Sequence, residues 1–110
     1  MRDGAMTHFD ALETRSAQER ADDIAKRLPE QIARAKSLAG YGDSLADIDP
    51  AKVTTVADLA DLPVLRKAEL GKAQAASAPF GGFTTRPATG FAHVFQSPGP
   101  IYEPGGMEHD

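Results

Sequence analysis

The segment of this 110-residue chain whose side chains come nearest to a binding site is Val94-Phe95-Gln96-Ser97-Pro98-Gly99-Pro100-Ile101-Tyr102-Glu103-Pro104-Gly105-Gly106. A strand that runs into a Ser/Gly/Pro loop can leave backbone N–H groups free to face an anion. Ser97 and Gly99 are the residues with that capacity. Tyr102 could stack on a substrate or hydrogen-bond to it, or else pack on its neighbouring prolines. The loop is not a Walker A loop, because G-x-x-x-x-G-K-[ST] is absent and no lysine follows Arg86. By local chemistry alone it also reads as an ordinary surface turn.

Other reactive side chains are scattered. His8, His93 and His109 are too far apart in sequence for a local metal motif and read as exposed or strand-packed histidines. Glu103, Glu108, His109 and Asp110 could form a loose cation site but read as solvated carboxylates; no metal ligand is assigned. Arg66-Lys67 could meet a phosphate at the start of a helix, although a basic pair on a solvent-facing turn is more simply a solubility feature. No cysteine is present, which excludes a disulfide scaffold, a thiolate metal site and a cysteine nucleophile, and a reducing, cytoplasmic location is the default reading.

Charge and length exclude more. The formal net charge is −4, with 8 basic and 10 acidic residues up to Lys52 and 4 and 6 beyond it. Neither half has the uncompensated Lys/Arg cluster that phosphate backbones require, so nucleic acid is not an expected partner. No run of about 18 apolar residues occurs and the first ten residues hold no apolar stretch, so neither a membrane span nor a secretory signal is expected. With 41% hydrophobic but only 6% aromatic residues, the core must come mainly from Ala, Leu, Val and Ile, and a core that light is marginal at this length.

The elements that must position these residues are mostly helical. Ser16-Ala17-Gln18-Glu19 has the form of a capping box and should open a helix. Ala21, Ile24, Ala25, Leu28, Ile32, Ala35 and Ala39 then recur at steps of three and four, along one helical face. Ile24, Leu28 and Ile32 form its aliphatic stripe, the expected partner-facing surface. Pro29 removes an N–H and crowds the preceding turn, so a kink or two short helices meeting at Leu28 is expected, the kink being favoured because the stripe continues past it, with Gly40 and Gly42 closing the element. Asp49-Pro50 marks a short turn, and Thr55-Val56-Ala57-Asp58 starts a brief helix that stops before Pro63. A third helix follows, with apolar Ala68, Leu70, Ala73 and Ala76.

From residue 79 onward Pro and Gly exclude continuous helix, and 91–97 reads as one strand. Either it pairs with something elsewhere in the chain, such as a hairpin through Gly81 to Thr85, or the rest of its sheet is missing from the chain. The fold class is therefore mainly α with a short β segment: helices at about 16–39, 55–61 and 65–76 and a strand at about 91–97. The organisation is a tail at 1–15, a helical subdomain at 16–78 and an incomplete Pro/Gly-rich segment at 79–110.

These elements, in this order, resemble a known family. Phe9-Asp10-Ala11-Leu12-Glu13-Thr14, the long helix, D-L-x-x-L-P-V-x-x-K from Asp58 to Lys67, Pro79-Phe80-Gly81-Gly82 and the S-P-G-P-I-Y-E-P loop resemble the N-terminus of phenylacetate-CoA ligase-like proteins, in the adenylate-forming acyl-CoA synthetase superfamily. The resemblance implies a piece of a larger α/β fold. It also implies a two-step ligase using ATP, Mg²⁺ and CoA: a carboxylate attacks the α-phosphate of ATP, and the CoA thiol then displaces AMP. The family's phosphate loop ends in Gly-Lys-Pro, whereas only Ser97 and Gly99 keep its character here, with prolines, Ile101 and Glu103 in place of threonines and lysine. With Tyr102 they are the nucleotide-loop candidates that the resemblance implies. The family's adenine-binding aromatic motif, ribose-binding Asp and C-terminal lysine do not occur before Asp110.

Three readings follow from the resemblance and the stripe. The chain is an N-terminal ligase fragment, inactive alone and binding none of the cofactors tightly, with the rest of the ligase as partner. Alternatively it is a non-catalytic helical interaction module or homodimer, or one half of a split ligase. No catalytic residue is assigned to it.

Overall fold

The computed structural model describes residues 7–106. The capping box at the start of the first helix forms as its sequence requires. Ser16 Oγ accepts from Glu19 N at 3.1 Å while Ser16 N donates to Glu19 Oε2 at 3.2 Å, and helix α1 runs over Ala17–Lys36. It passes through Pro29 as one helix, so two helices meeting at Leu28 are not found. The apolar positions continue past Pro29 to Ile32, the one buried residue of α1. The expected extension to residue 39 is interrupted at Ser37. A separate single-turn helix α2, Ala39–Gly42, follows, so Gly40 and Gly42 build a second element and do not end the first.

Gly40 is required there by a close approach. Its N–H donates to Gly82 O at 2.8 Å, and a Cβ on it would lie 2.6 Å from the Phe83 ring. Tyr41 meets the same ring edge-on at 4.7 Å between centroids. This joint ties the end of the α1 region to the Phe80-Gly81-Gly82-Phe83 corner, which buries Phe80 against Phe91 in a T-shaped contact at 5.6 Å.

Between these helices the chain makes tight turns. Asp49 Oδ1 accepts from Ala51 N at 3.1 Å and opens a 3-10 turn, Pro50–Lys52, that packs on α1. Lys36 Nζ reaches across to Ile48 O at 2.9 Å. The expected helix at 55–61 is a 3-10 turn, Ala57–Asp61. Its start is as expected, with Asp58 Oδ2 accepting from Thr54 N and Thr55 N, both at 3.0 Å, but Pro63 follows too soon for α-helical bonds to propagate. Helix α3 spans Lys67–Ala76, within the expected range.

The described part of the C-terminal third holds two strands. β1, His93–Ser97, pairs antiparallel with β2, Ile101–Gly105, in the register His93↔Gly105, Phe95↔Glu103 and Ser97↔Ile101. A hairpin through Gly81 to Thr85 is therefore not formed; the partner strand comes from the segment that reads as a loop in sequence. The fold is mainly helical with a short, open, two-stranded sheet among the described residues.

The core is thin and distributed: Ile32, Leu45, Val53, Phe80 and Ile101 are its buried apolar residues. The Cα radius of gyration is 17.3 Å, where a compact chain of this length has ~13 Å. Large apolar side chains stay in solvent, among them Val64, Val94 and Phe95. No helix of the described residues is long and apolar enough to cross a membrane.

Candidate functional site

The Ser97-to-Tyr102 hairpin turn sits over the first two turns of α3, and two polar side chains of that helix hold it. Lys67, at the start of α3, donates from Nζ to Pro98 O at 2.6 Å. Gln74, two turns further on, uses both ends of its amide on one residue: Nε2 donates to Tyr102 O and Oε1 accepts from Tyr102 N, each at 2.9 Å. Gln74 is the one buried polar residue among those described. Because its amide takes both backbone groups of Tyr102 on the side away from β1, the outer edge of β2 is closed at that point. The ladder's parity then turns the backbone groups of Gln96, opposite Tyr102, to the open edge of β1.

Ser97 Oγ donates to Ile101 O at 3.3 Å, closing the turn, and Gly99 has φ +135°, a conformation that L side chains rarely adopt. A Cβ at Gly99 would also come within 2.8 Å of Lys67 Cε. Of the three nucleotide-loop candidates, Ser97 and Gly99 thus shape the turn, and Tyr102 is half-buried with its backbone bonded to Gln74. Between α3 and the turn lies an open cleft of about 790 Å³, whose walls include Lys67, Gly71, Lys72, Pro100 and Tyr102.

This turn does not fit a polyphosphate. Between Ser97 and Ile101 only Gly99 has a backbone N–H, since Pro98 and Pro100 have none. Lys67 spends a donor on Pro98 O, Glu103 adds negative charge to β2, and neither Ser97 nor Tyr102 presents an unpartnered buried donor. No step of nucleotide chemistry is assigned to it. Among the described residues no three His, Asp or Glu side chains converge on a metal site. His8 lies 3.6 Å from Glu13, His93 stacks on Phe95 at 5.8 Å, and Glu108, His109 and Asp110 lie outside the described residues.

The helix stripe divides. Ile32 is buried, whereas Ile24 and Leu28 are half-buried and line a shallow groove of about 450 Å³ with Asp23, Arg27, Glu30 and Arg34. Asp23 is held by Arg15 at 3.0 Å and by Arg27 at 3.6 Å. Elsewhere the Thr54 backbone N–H, then the Thr55 hydroxyl and N–H, hold the Asp58 carboxyl below its ordinary value.

Gln74 is the residue that sequence reasoning missed, and Lys67, read as a phosphate contact or a solubility feature, instead holds the turn. A signal existed for Gln74: it lies four residues after Leu70 and one after Ala73, on the packed side of an alanine-rich helix, where an amide must find partners. Lys67 has the sequence context of a solvent-facing base, yet it fixes the turn.

The chain is remotely homologous to AMP-forming acyl-CoA ligases and corresponds to a small N-terminal part of one. Similar solved structures include those of 2-hydroxyisobutyryl-CoA ligase. One is in the postadenylation state with 2-HIB-AMP and another in an open conformation with 2-HIB-AMP and CoA, each at 27% identity, TM-score 0.72 and 83% coverage of this chain. The chain spans about one-fifth of their length, 20% and 21% respectively. No protein-family model and no curated protein sequence matches it.

Proposed function

We propose that this chain serves as the N-terminal part of an ATP-dependent acyl-CoA ligase of the phenylacetate-CoA ligase type, acting with the remainder of such a ligase and not catalysing alone. The observation that carries the reading is the similarity over 83% of the chain, at 27% identity, to one-fifth of 2-hydroxyisobutyryl-CoA ligase. The finer branch rests on the D-L-x-x-L-P-V-x-x-K and S-P-G-P-I-Y-E-P motifs. ATP, Mg²⁺ and CoA belong to the whole ligase; the 97–104 turn is scaffold in this reading, and none of them binds tightly to it.

The chain's contribution is then structural. Gln74 and Lys67 fix the hairpin on α3, and β1 offers an open edge with Val94 and Phe95 exposed, a surface that a further strand and an apolar layer would cover. The test has two arms. Purified chain given phenylacetate or 2-hydroxyisobutyrate should show no ATP–pyrophosphate exchange, and exchange by it would end the claim of non-catalysis. A chimaera in which this chain replaces the corresponding fifth of 2-hydroxyisobutyryl-CoA ligase should stay soluble and folded, with exchange lost because the 97–104 turn lacks phosphate-binding residues. A chimaera that aggregates, while the parent enzyme handled alongside does not, counts against the ligase assignment itself.

A further inference from the structure

Beyond its place in a ligase, the outer flank of α1 carries a charge pattern that is complementary to itself. Asp23, Arg27, Glu30 and Arg34 line the groove beside Ile24 and Leu28. At 100° per residue all four charged residues fall within about 60° of arc on one flank of the aliphatic pair. Their signs alternate along the helix. Asp23 and Arg34 are equidistant from the Leu28–Pro29 peptide, and so are Arg27 and Glu30.

We infer that this face binds a second copy of the same chain, with the two α1 helices antiparallel about a two-fold axis near the Leu28–Pro29 peptide. In that arrangement Asp23 faces Arg34 of the second copy and Arg27 faces its Glu30, each pair occurring twice. Ile24 and Leu28 of both copies fill the seam between them. A parallel pairing would instead set Asp23 against Asp23 and Arg27 against Arg27, so the charges select one orientation. Within the monomer these charges are incompletely used. Arg27 is 72% exposed with only a 3.6 Å contact to Asp23, Arg34 bonds Gln31 at 3.0 Å, and Glu30 has no ion pair among the described residues. Ile32, further round the helix from the charges, is already buried in the core, which leaves the Ile24–Leu28 side as the part of the stripe to be covered.

Sedimentation velocity on the full 110-residue chain tests this. Wild type should show a concentration-dependent monomer–dimer equilibrium that shifts towards monomer as salt rises. Arg27→Glu and Glu30→Arg should each weaken self-association by at least about tenfold, because each sets like charges face to face. Mixing these two variants should restore dimer. The carboxylate introduced at position 27 of one chain then faces the guanidinium introduced at position 30 of the other, and the unchanged Glu30 of the first faces the unchanged Arg27 of the second. Circular dichroism reports whether each variant keeps its helix, and the mixture separates lost pairing from lost folding. The inference is overturned if wild type stays monomeric, as it would were the face reserved for another protein, if either single variant dimerises as wild type does, or if the mixture does not exceed its components.

Discussion

Gln74 closes both its amide bonds on a single residue, Tyr102, with Nε2 to the carbonyl and Oε1 from the N–H at 2.9 Å each. The pairing imitates one rung of a β-ladder, so α3 stands where a third strand would otherwise add to β2. One side chain thereby fixes the hairpin's height on the helix and leaves β1 as the extendable edge.

Gln74→Leu keeps the volume and removes both bonds, leaving two part-buried backbone groups of Tyr102 unpaired. The expected loss is about 2–4 kcal/mol, read as a lower urea midpoint with unchanged m-value. Gln74→Glu separates the two bonds. The carboxylate still accepts from Tyr102 N but cannot donate to Tyr102 O, so this variant should recover stability at acid pH, where the protonated side chain can donate. Equal stability of both variants and wild type would remove the amide from the account.

Much of this scaffold is legible in the sequence wherever a local rule has a local partner. The Ser16/Glu19 box, the Asp49-Pro50 turn and the Thr55/Asp58 start all form, because their donors and acceptors lie within four residues of each other. The second strand is not legible. Ile101-Tyr102-Glu103-Pro104-Gly105 contains two poor strand formers; it pairs with β1 and is tied to Gln74, 28 residues away. The break at Ser37 is hidden in the same way. Ala35 and Ala39 continue the helical period, yet the helix breaks at Ser37 and restarts at Ala39, where Gly40 bonds to Gly82 and meets Phe83. Residue type alone points Ser97 and Gly99 towards anion binding, whereas the distribution of N–H groups, decided by Pro98 and Pro100, makes them turn formers.

The joint at Gly40 should tolerate no side chain. A Cβ would stand 2.6 to 2.8 Å from three atoms of the Phe83 ring, and that ring is itself held edge-on against Tyr41. Gly40→Ala should cost about 1–3 kcal/mol through overpacking, even though alanine favours the helical backbone of α2. Pairing it with Phe83→Leu, which vacates the space, should return part of the loss. A double-mutant cycle reads this directly, and strictly additive effects would show that the clash is relieved elsewhere.

Asp58 should give the fold a recognisable acid limb. Its carboxylate accepts from Thr54 N and Thr55 N, and these bonds hold its pKa in the folded chain below the ordinary 3.8. A carboxyl whose folded pKa is depressed stabilises the fold above its unfolded value and loses that contribution as pH falls through the folded value. Asp58→Asn keeps an acceptor oxygen but has no charge to titrate. The Tm difference between wild type and Asp58→Asn should therefore be constant near neutrality, begin to shrink as pH approaches 3.8 and continue to fall below it. The 54–61 turn is where amide exchange should record the change first, since its backbone donors lose their charged acceptor. A difference that stays flat across the whole acid range would mean that the charge on Asp58 does not hold the turn, and that the oxygen alone suffices.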